Sequence, residues 1–413
     1  MRFRKALYAP TAAAALVLPL LAGCGGSTGP ASPAAPATSA AQDSAGKPGA
    51  SGDSAFRDRD LVISAGCTVP ASSPAKVWVT GYEPSGWTKV ASVEFTLPAQ
   101  VVLSGRDGNE LSALYSLCAG NLPDAESLGS TAASDDAFGP RVRRLFDRDF
   151  TRLAVVTSDA RTGASHVGYV DRAGKFTDLT GDGGGFATPK ERDALFAPDG
   201  DSVWFTYRDG ADKQHIAGRS VGGNHQLTEQ WTGARPYIDD LNLALGGSPL
   251  RGVIGSRVYF SPDGKRVAAF VDRQGQNTVP VTANGILPAG ATATRIPDSN
   301  CKPSGWVDNH TILCAISPGG HLPQEYETNL WTLDVDRSPA KEEPGRLLLP
   351  VTDRKNLPVA ISPDGKRLLF RSVQGKVEQP YVTELTPGAE PKQITGRDAA
   401  TALGTGDVVL EWR

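Results

Sequence analysis

From about Leu145 onward, short apolar runs alternate with tight polar turns, and one arrangement recurs. Leu195-Phe-Ala-Pro-Asp-Gly-Asp-Ser-Val-Trp-Phe205, Tyr259-Phe-Ser-Pro-Asp-Gly-Lys-Arg-Val-Ala-Ala-Phe270 and Ala360-Ile-Ser-Pro-Asp-Gly-Lys-Arg-Leu-Leu-Phe370 each read as strand, turn, strand. Proline presets φ at the second turn position, aspartate bonds the backbone just ahead, and glycine takes the left-handed conformation that returns the chain to the ladder. The apolar run after each turn, such as Val267-Ala-Ala-Phe270, is short and continuous, as in a strand covered on both faces. Weaker copies lie at Leu145-Phe-Asp-Arg-Asp-Phe-Thr-Arg-Leu-Ala-Val-Val156, Gly305-Trp-Val-Asp-Asn-His-Thr-Ile-Leu-Cys314, Leu103–Leu114 and Ala402–Trp412.

Successive copies stand roughly 40 to 65 residues apart, the range of a four-stranded blade with loop insertions. A second pair of strands follows several copies and ends in an apolar-Thr step: Leu179-Thr180, Leu227-Thr228, Val351-Thr352 and Ile394-Thr395. Four strands per repeat predict an all-β chain folded as a single β-propeller. Seven strand-turn-strand units give seven four-stranded blades, and the weaker copies also allow six or eight. The last unit lacks its outer strands. Lys76-Val-Trp-Val79 and Trp87-Thr-Lys-Val-Ala-Ser-Val93 have the character to supply them, so the ring is expected to close with strands from both termini, leaving no open sheet edge.

The Ser-Pro-Asp-Gly-Lys-Arg turn, the apolar run after it and the distant Leu-Thr step resemble the blade repeat of the TolB-like propeller family, over most of residues 100 to 413. The resemblance implies a protein-binding or scaffolding propeller. The same blade type also accompanies some peptidases, so it implies no single activity.

The N-terminal pattern differs. Arg2, Arg4 and Lys5 precede Thr11-Ala-Ala-Ala-Ala-Leu-Val-Leu-Pro-Leu-Leu-Ala-Gly23, too short to span a bilayer comfortably, which is the form of a secretion signal over residues 1–23. Leu21-Ala22-Gly23-Cys24 resembles the lipobox of bacterial lipoproteins, which implies a lipid on Cys24 and an anchor at the outer face of the cytoplasmic membrane. Several acyl chains hold a protein firmly where one does not, at roughly 0.8 kcal/mol per buried methylene. Residues 24–56 are rich in Gly, Ser, Ala and Pro and bury too little to order themselves. As a coil they span about 30 Å, enough to hold a domain over 57–413 clear of the headgroups.

Composition narrows the function. The chain is 39% apolar with a formal net charge of −3, and no Lys/Arg run points to nucleic acid. Beyond Cys24 four cysteines remain, and export permits disulfides. Three pairings exist. Cys301 and Cys314 flank a turn centred near Asp308-Asn309, which would set them on facing antiparallel strands, and this leaves Cys67 with Cys118.

No Gly-x-Ser-x-Gly elbow, His-Glu-x-x-His pair, phosphate loop or Cys-x-x-Cys occurs. His166, His215, His225, His310 and His321 fall on different repeats and read as surface or turn residues. Thr180-Gly-Asp-Gly-Gly-Gly185 could form an anion nest but reads better as a link, lacking the Lys and Ser/Thr of a phosphate loop. Asp239-Asp240 and the turn residues Asp199, Asp263 and Asp364 could serve calcium. The turn aspartates already have a backbone role, so no metal and no cofactor is expected. Trp231 to Gly255 is longer than a plain connection needs, and Arg235, Tyr237, Asp239 and Asp240 are its candidate binding residues, against a surface excursion packed on its own blade. The expectation is a monomeric, non-enzymatic binding module for a protein, peptide or envelope polymer. The alternative is a propeller enzyme or small-ligand receptor with a site at the channel mouth.

Overall fold

The computed structural model describes residues 55–413, apart from 58, 70–73, 104–112, 119–141, 159–163, 181–190, 198–199, 212–213, 233–252, 272–274, 281–293, 296–300, 317–328, 337–345 and 376. Cys24, the signal, nearly all of the tether, His321, Asp199 and the candidate residues Arg235, Tyr237, Asp239 and Asp240 lie outside the described residues.

The regular structure of the described chain is nearly all strand. Sheet I holds β1 (Val62–Thr68), β2 (Lys76–Glu83) and β3 (Thr88–Thr96), and a short helix α1 (Ala113–Cys118) follows it. Sheet II holds β4 (Arg152–Ser158), β5 (Ser165–Asp171) and β6 (Phe176–Asp178). In sheet III come β7 (Arg192–Phe196), β8 (Ser202–Arg208), β9 (Gln214–Ser220) and β10 (Leu227–Thr232). Sheet IV is β11 (Val253–Phe260), β12 (Arg266–Val271), β13 (Gly275–Pro280) and β14 (Thr294–Arg295). Sheet V is β15 (Cys301–Trp306), β16 (Thr311–Ile316), β17 (Trp331–Asp334) and β18 (Arg346–Leu347). Sheet VI is β19 (Lys355–Ile361), β20 (Arg367–Gln374), β21 (Val377–Glu384) and β22 (Lys392–Gln393). Helix α2 (Arg397–Thr401) and a wide helical turn over Ala402–Gly406 lead to β23 (Val408–Trp412).

Each sheet is an antiparallel meander, and β23 joins sheet I in the order β23-β1-β2-β3. The two ends of the domain therefore meet in one sheet: Leu61 and Arg413 exchange backbone hydrogen bonds of 2.8 and 2.9 Å. β1 was not foreseen. Of the unit at Ala402–Trp412 only β23 is a strand, Ala402–Gly406 being a helical turn, and β1 sits between β23 and β2 where the repeat pattern expects that unit's other strand. Among the described residues there are six sheets, five of four strands and one of three, where the pattern counts seven units. Sheet II has Phe146 bridged to Leu153 in place of a full leading strand. Of the weak copy at Leu103–Leu114, the described end, Ala113 and Leu114, opens α1 instead of a strand. The apolar run ahead of its turn, Val101-Val102-Leu103, is used on β4 instead: Val101 bridges Thr157 and the Val102 N–H donates to the Val156 carbonyl at 2.9 Å.

The Pro-Asp-Gly turns form as their chemistry requires. Ser261 Oγ donates to Asp263 Oδ1 (2.6 Å) and accepts from the Arg266 N–H, while Asp263 also accepts from the Lys265 N–H; Ser362, Asp364, Lys366 and Arg367 repeat the set. Gly264 and Gly365 take φ of 68° and 67°. A side chain at Gly365 would also meet the Val307 carbonyl of sheet V.

An arginine closes this turn in sheets IV and VI and the corresponding turn of sheet II, and ties each of the three to the next sheet. Arg266 lies 5.3 Å over Trp306 on β15, Arg367 lies 4.7 Å over Trp412 on β23, and Arg152 lies 5.4 Å over Phe196 on β7. Each also has a carboxylate: Asp336 at 2.7 Å, Asp60 at 2.6 Å and Asp147 at 2.8 Å. The joint between sheets VI and I thus uses the same stacked, charge-paired arginine as the joints IV/V and II/III. Phe56, at the end of the tether by composition, is buried and packs 5.1 Å from Phe150, so the core starts slightly earlier than the composition shift.

Candidate functional site

In sheets III to VI the leading strand runs from a start end to a turn end, where the short turns 197–201, 261–265, 307–310 and 362–366 lie together with the longer third-to-fourth strand connections 281–293 and 335–345. Antiparallel pairing returns the fourth strand to the start end, so the links between sheets leave from there. Residues 97–145, 179–191, 233–252 and 394–407 are such links.

At the turn end, polar groups are consumed in holding the fold. Hydrogen bonds from Ser261 and Lys265 keep the Asp263 carboxyl below its ordinary range, and those from Ser362 and Lys366 do the same for Asp364. Both turn aspartates therefore act on their own backbone, as the sequence suggests. Burial pushes the Glu411 carboxyl up, but the guanidinium groups of Arg143 (2.6 Å) and Arg413 outweigh it and hold Glu411 low.

The start end is different. Cys67 at the end of β1 is joined to Cys118 of α1, and Cys301 at the start of β15 is joined to Cys314 of β16, with S–S distances of 2.06 and 2.00 Å. Before β19, Arg354 donates to Ser372 Oγ (2.8 Å) and to the side chains of Gln374 and Gln379. Before β23, Asp407 Oδ2 accepts from Ser64 Oγ (3.0 Å) and from Trp78 Nε1 (3.4 Å). Burial pushes the Asp407 carboxyl above its ordinary range, against those two hydrogen bonds and the charge of Lys89. Burial, helped by the charges of Asp407 and Asp398, raises the Tyr82 phenol to about 12.

The described histidines do not converge. His166 pairs with Asp178 (2.8 Å) in sheet II, His215 with Asp209 (2.9 Å) in sheet III, His310 with Asp336 (2.5 Å) in sheet V, and His225 with the Ser220 carbonyl. Among the described residues no group of three or more His, Cys, Asp or Glu is placed to hold a metal ion. Of Thr180–Gly185 only Thr180 is described, and it is structural: its hydroxyl bonds Glu191 and accepts from the Val167 N–H. Glu191, just before β7, also accepts from the Val167 N–H of sheet II and in turn holds Arg219 of β9 (2.8 Å), both side chains fully buried. Asp407, Ser64 and Trp78 were missed by sequence reasoning. Ser64 and Trp78 stand 343 and 329 residues from Asp407, and only the pairing of the two termini brings them together.

No protein-family model matches the chain, and no curated sequence does. Solved structures that resemble it do so distantly. An uncharacterized protein from Listeria monocytogenes EGD-e is 10% identical, with 61% of this chain and 65% of that one covered and a TM-score of 0.35. TolB from Acinetobacter baumannii is 14% identical, with 86% and 82% covered and a TM-score of 0.33. A putative TolB from Agrobacterium tumefaciens is 15% identical, with 64% and 82% covered and a TM-score of 0.32. This chain thus spans just under two thirds of the Listeria protein.

Proposed function

We propose that the chain is a lipid-anchored, extracytoplasmic β-propeller whose start end binds a protein, peptide or envelope polymer without chemical turnover. The observation that carries the reading is the asymmetry of the links. The two longest links, 97–145 and 233–252, leave from the start end of rigid sheets, whereas the turn end carries tight turns and the shorter connections 281–293 and 335–345, and long loops on a rigid scaffold are where binding concentrates. Two disulfides support export, since such bonds persist in oxidising compartments. The repeated arginine joint, used also between the last sheet and the first, supports a ring.

A photo-crosslinker placed at Tyr237, within 233–252, tests the binding reading in native envelopes. The expected result is one saturable adduct from position 237 and none from Lys265 at the turn end. Equal labelling from both positions, or none from 237, contradicts it. For the anchor, Cys24→Ala should abolish fatty-acid labelling and leave precursor or released protein, and labelling that persists in the variant removes the lipoprotein reading.

A further inference from the structure

Ala65 pairs with Val408, and Gly66 with Trp78, so Asp407, Gly66 and Trp78 form one row across β23, β1 and β2. Gly66 is the floor of that row. A Cβ there would lie 2.3 Å from Trp78 Cζ2 and 2.5 Å from Asp407 Oδ1, so the indole and the carboxylate both lean over the bare glycine. Ser64, fully buried beside them, fixes Oδ2 from below. Among the described residues Asp407 has no ion-pair partner, and Oδ1 receives no hydrogen bond. Asp407 and Trp78 are both half-buried, so each keeps part of its surface in contact with solvent.

We propose that Asp407, Trp78 and Ser64 form a receptor for an organic cation, an ammonium or guanidinium group carried by the ligand of this domain. A carboxylate drawn from water without a counter-ion costs stability, and an incoming cation removes that cost. An adjacent indole adds attraction for the same charge, and a guanidinium or ammonium can donate to the open Oδ1. Burial of Asp407 agrees with this, since it outweighs the hydrogen bonds from Ser64 and Trp78 and the charge of Lys89 and leaves the carboxylate only partly compensated within the chain. The inference rests on the binding reading above and specifies what charge the ligand presents at one contact.

The test is titration of the full-length chain in detergent, labelled with ¹⁵N-tryptophan, with butylammonium, butylguanidinium and, at equal ionic strength, sodium chloride. The reporter is the Trp78 indole N–H, assigned by Trp78→Phe. A saturable shift with one or both organic cations and not with sodium is expected, and their relative strength tells an ammonium ligand from a guanidinium one. Asp407→Asn should weaken that response roughly tenfold or more. A Trp78 signal that follows ionic strength alone, or that responds equally in Asp407→Asn, overturns the cation receptor. Crosslinking at Tyr237 is read separately: a partner captured there with no cation response removes this inference and leaves the binding module.

Discussion

Arg367 shows how one side chain couples two sheets. Its guanidinium stacks on Trp412 and bonds Asp60, which also accepts from the Trp412 indole N–H at 2.6 Å. Arg367→Met keeps the aliphatic stem and removes charge and stacking, so a loss of about 1 to 2 kcal/mol is expected by denaturant melting, with a similar loss for Arg266→Met. The buried Glu191–Arg219 pair should be more sensitive. Glu191→Gln leaves a guanidinium buried without its counter-charge, at a cost of about 3 to 5 kcal/mol. Asp407 behaves in the opposite sense. Its folded pKa is raised, so its contribution is full below the unfolded pKa and is lost as pH rises through the folded one. Asp407→Asn should therefore melt at or above the native temperature at neutral pH, with the difference vanishing in acid. Glu411 is held low, so its contribution is lost as pH falls, and Glu411→Gln should lessen the acid sensitivity. Phe150 occupies the place of the turn glycine, with φ of 54°. Its buried ring, between Arg143 at 4.6 Å and Arg413 at 4.9 Å, explains why a bulky residue is kept there.

Among the elements, strands that follow a Pro-Asp-Gly turn were legible because the turn fixes both position and register. β1 was not, since it lies outside the repeats with no such turn to mark it, although Ile63, Ala65 and Cys67 alternate with Ser64, Gly66 and Thr68. Those residues are polar or small because that face carries the Asp407 row at one end, while Val62 joins Tyr82 and Trp412 in an apolar cluster at the other. The candidate site was illegible for the same reason: its members belong to strands from opposite ends of the chain. Helix α1 has only six residues and depends on its bond to Cys67. In the chain-entropy view the Cys67–Cys118 bridge, closing 51 residues, contributes about 4 kcal/mol, and Cys301–Cys314, closing 13, about 3 kcal/mol. Double Cys→Ser variants should therefore rank in that order in melting temperature. The reverse order would mean that α1 is dispensable to the core.

At the scale of the molecule, sheet I is incomplete without both termini. β23 supplies its leading strand, and Glu411 on that strand reaches Arg143 beside sheet II, while Trp412 receives Arg367 from sheet VI. Removing β23 takes away both joints at once and exposes the edge of β1. The tether has no such role, and deletion of residues 25–50 should leave the melting transition nearly unchanged. The decisive measurement is thermal melting of a chain lacking residues 402–413. If both termini build one sheet that locks its neighbours, the truncated domain loses its cooperative transition or melts far below the full-length protein. A truncated chain that melts with the same midpoint and sharpness would contradict the account.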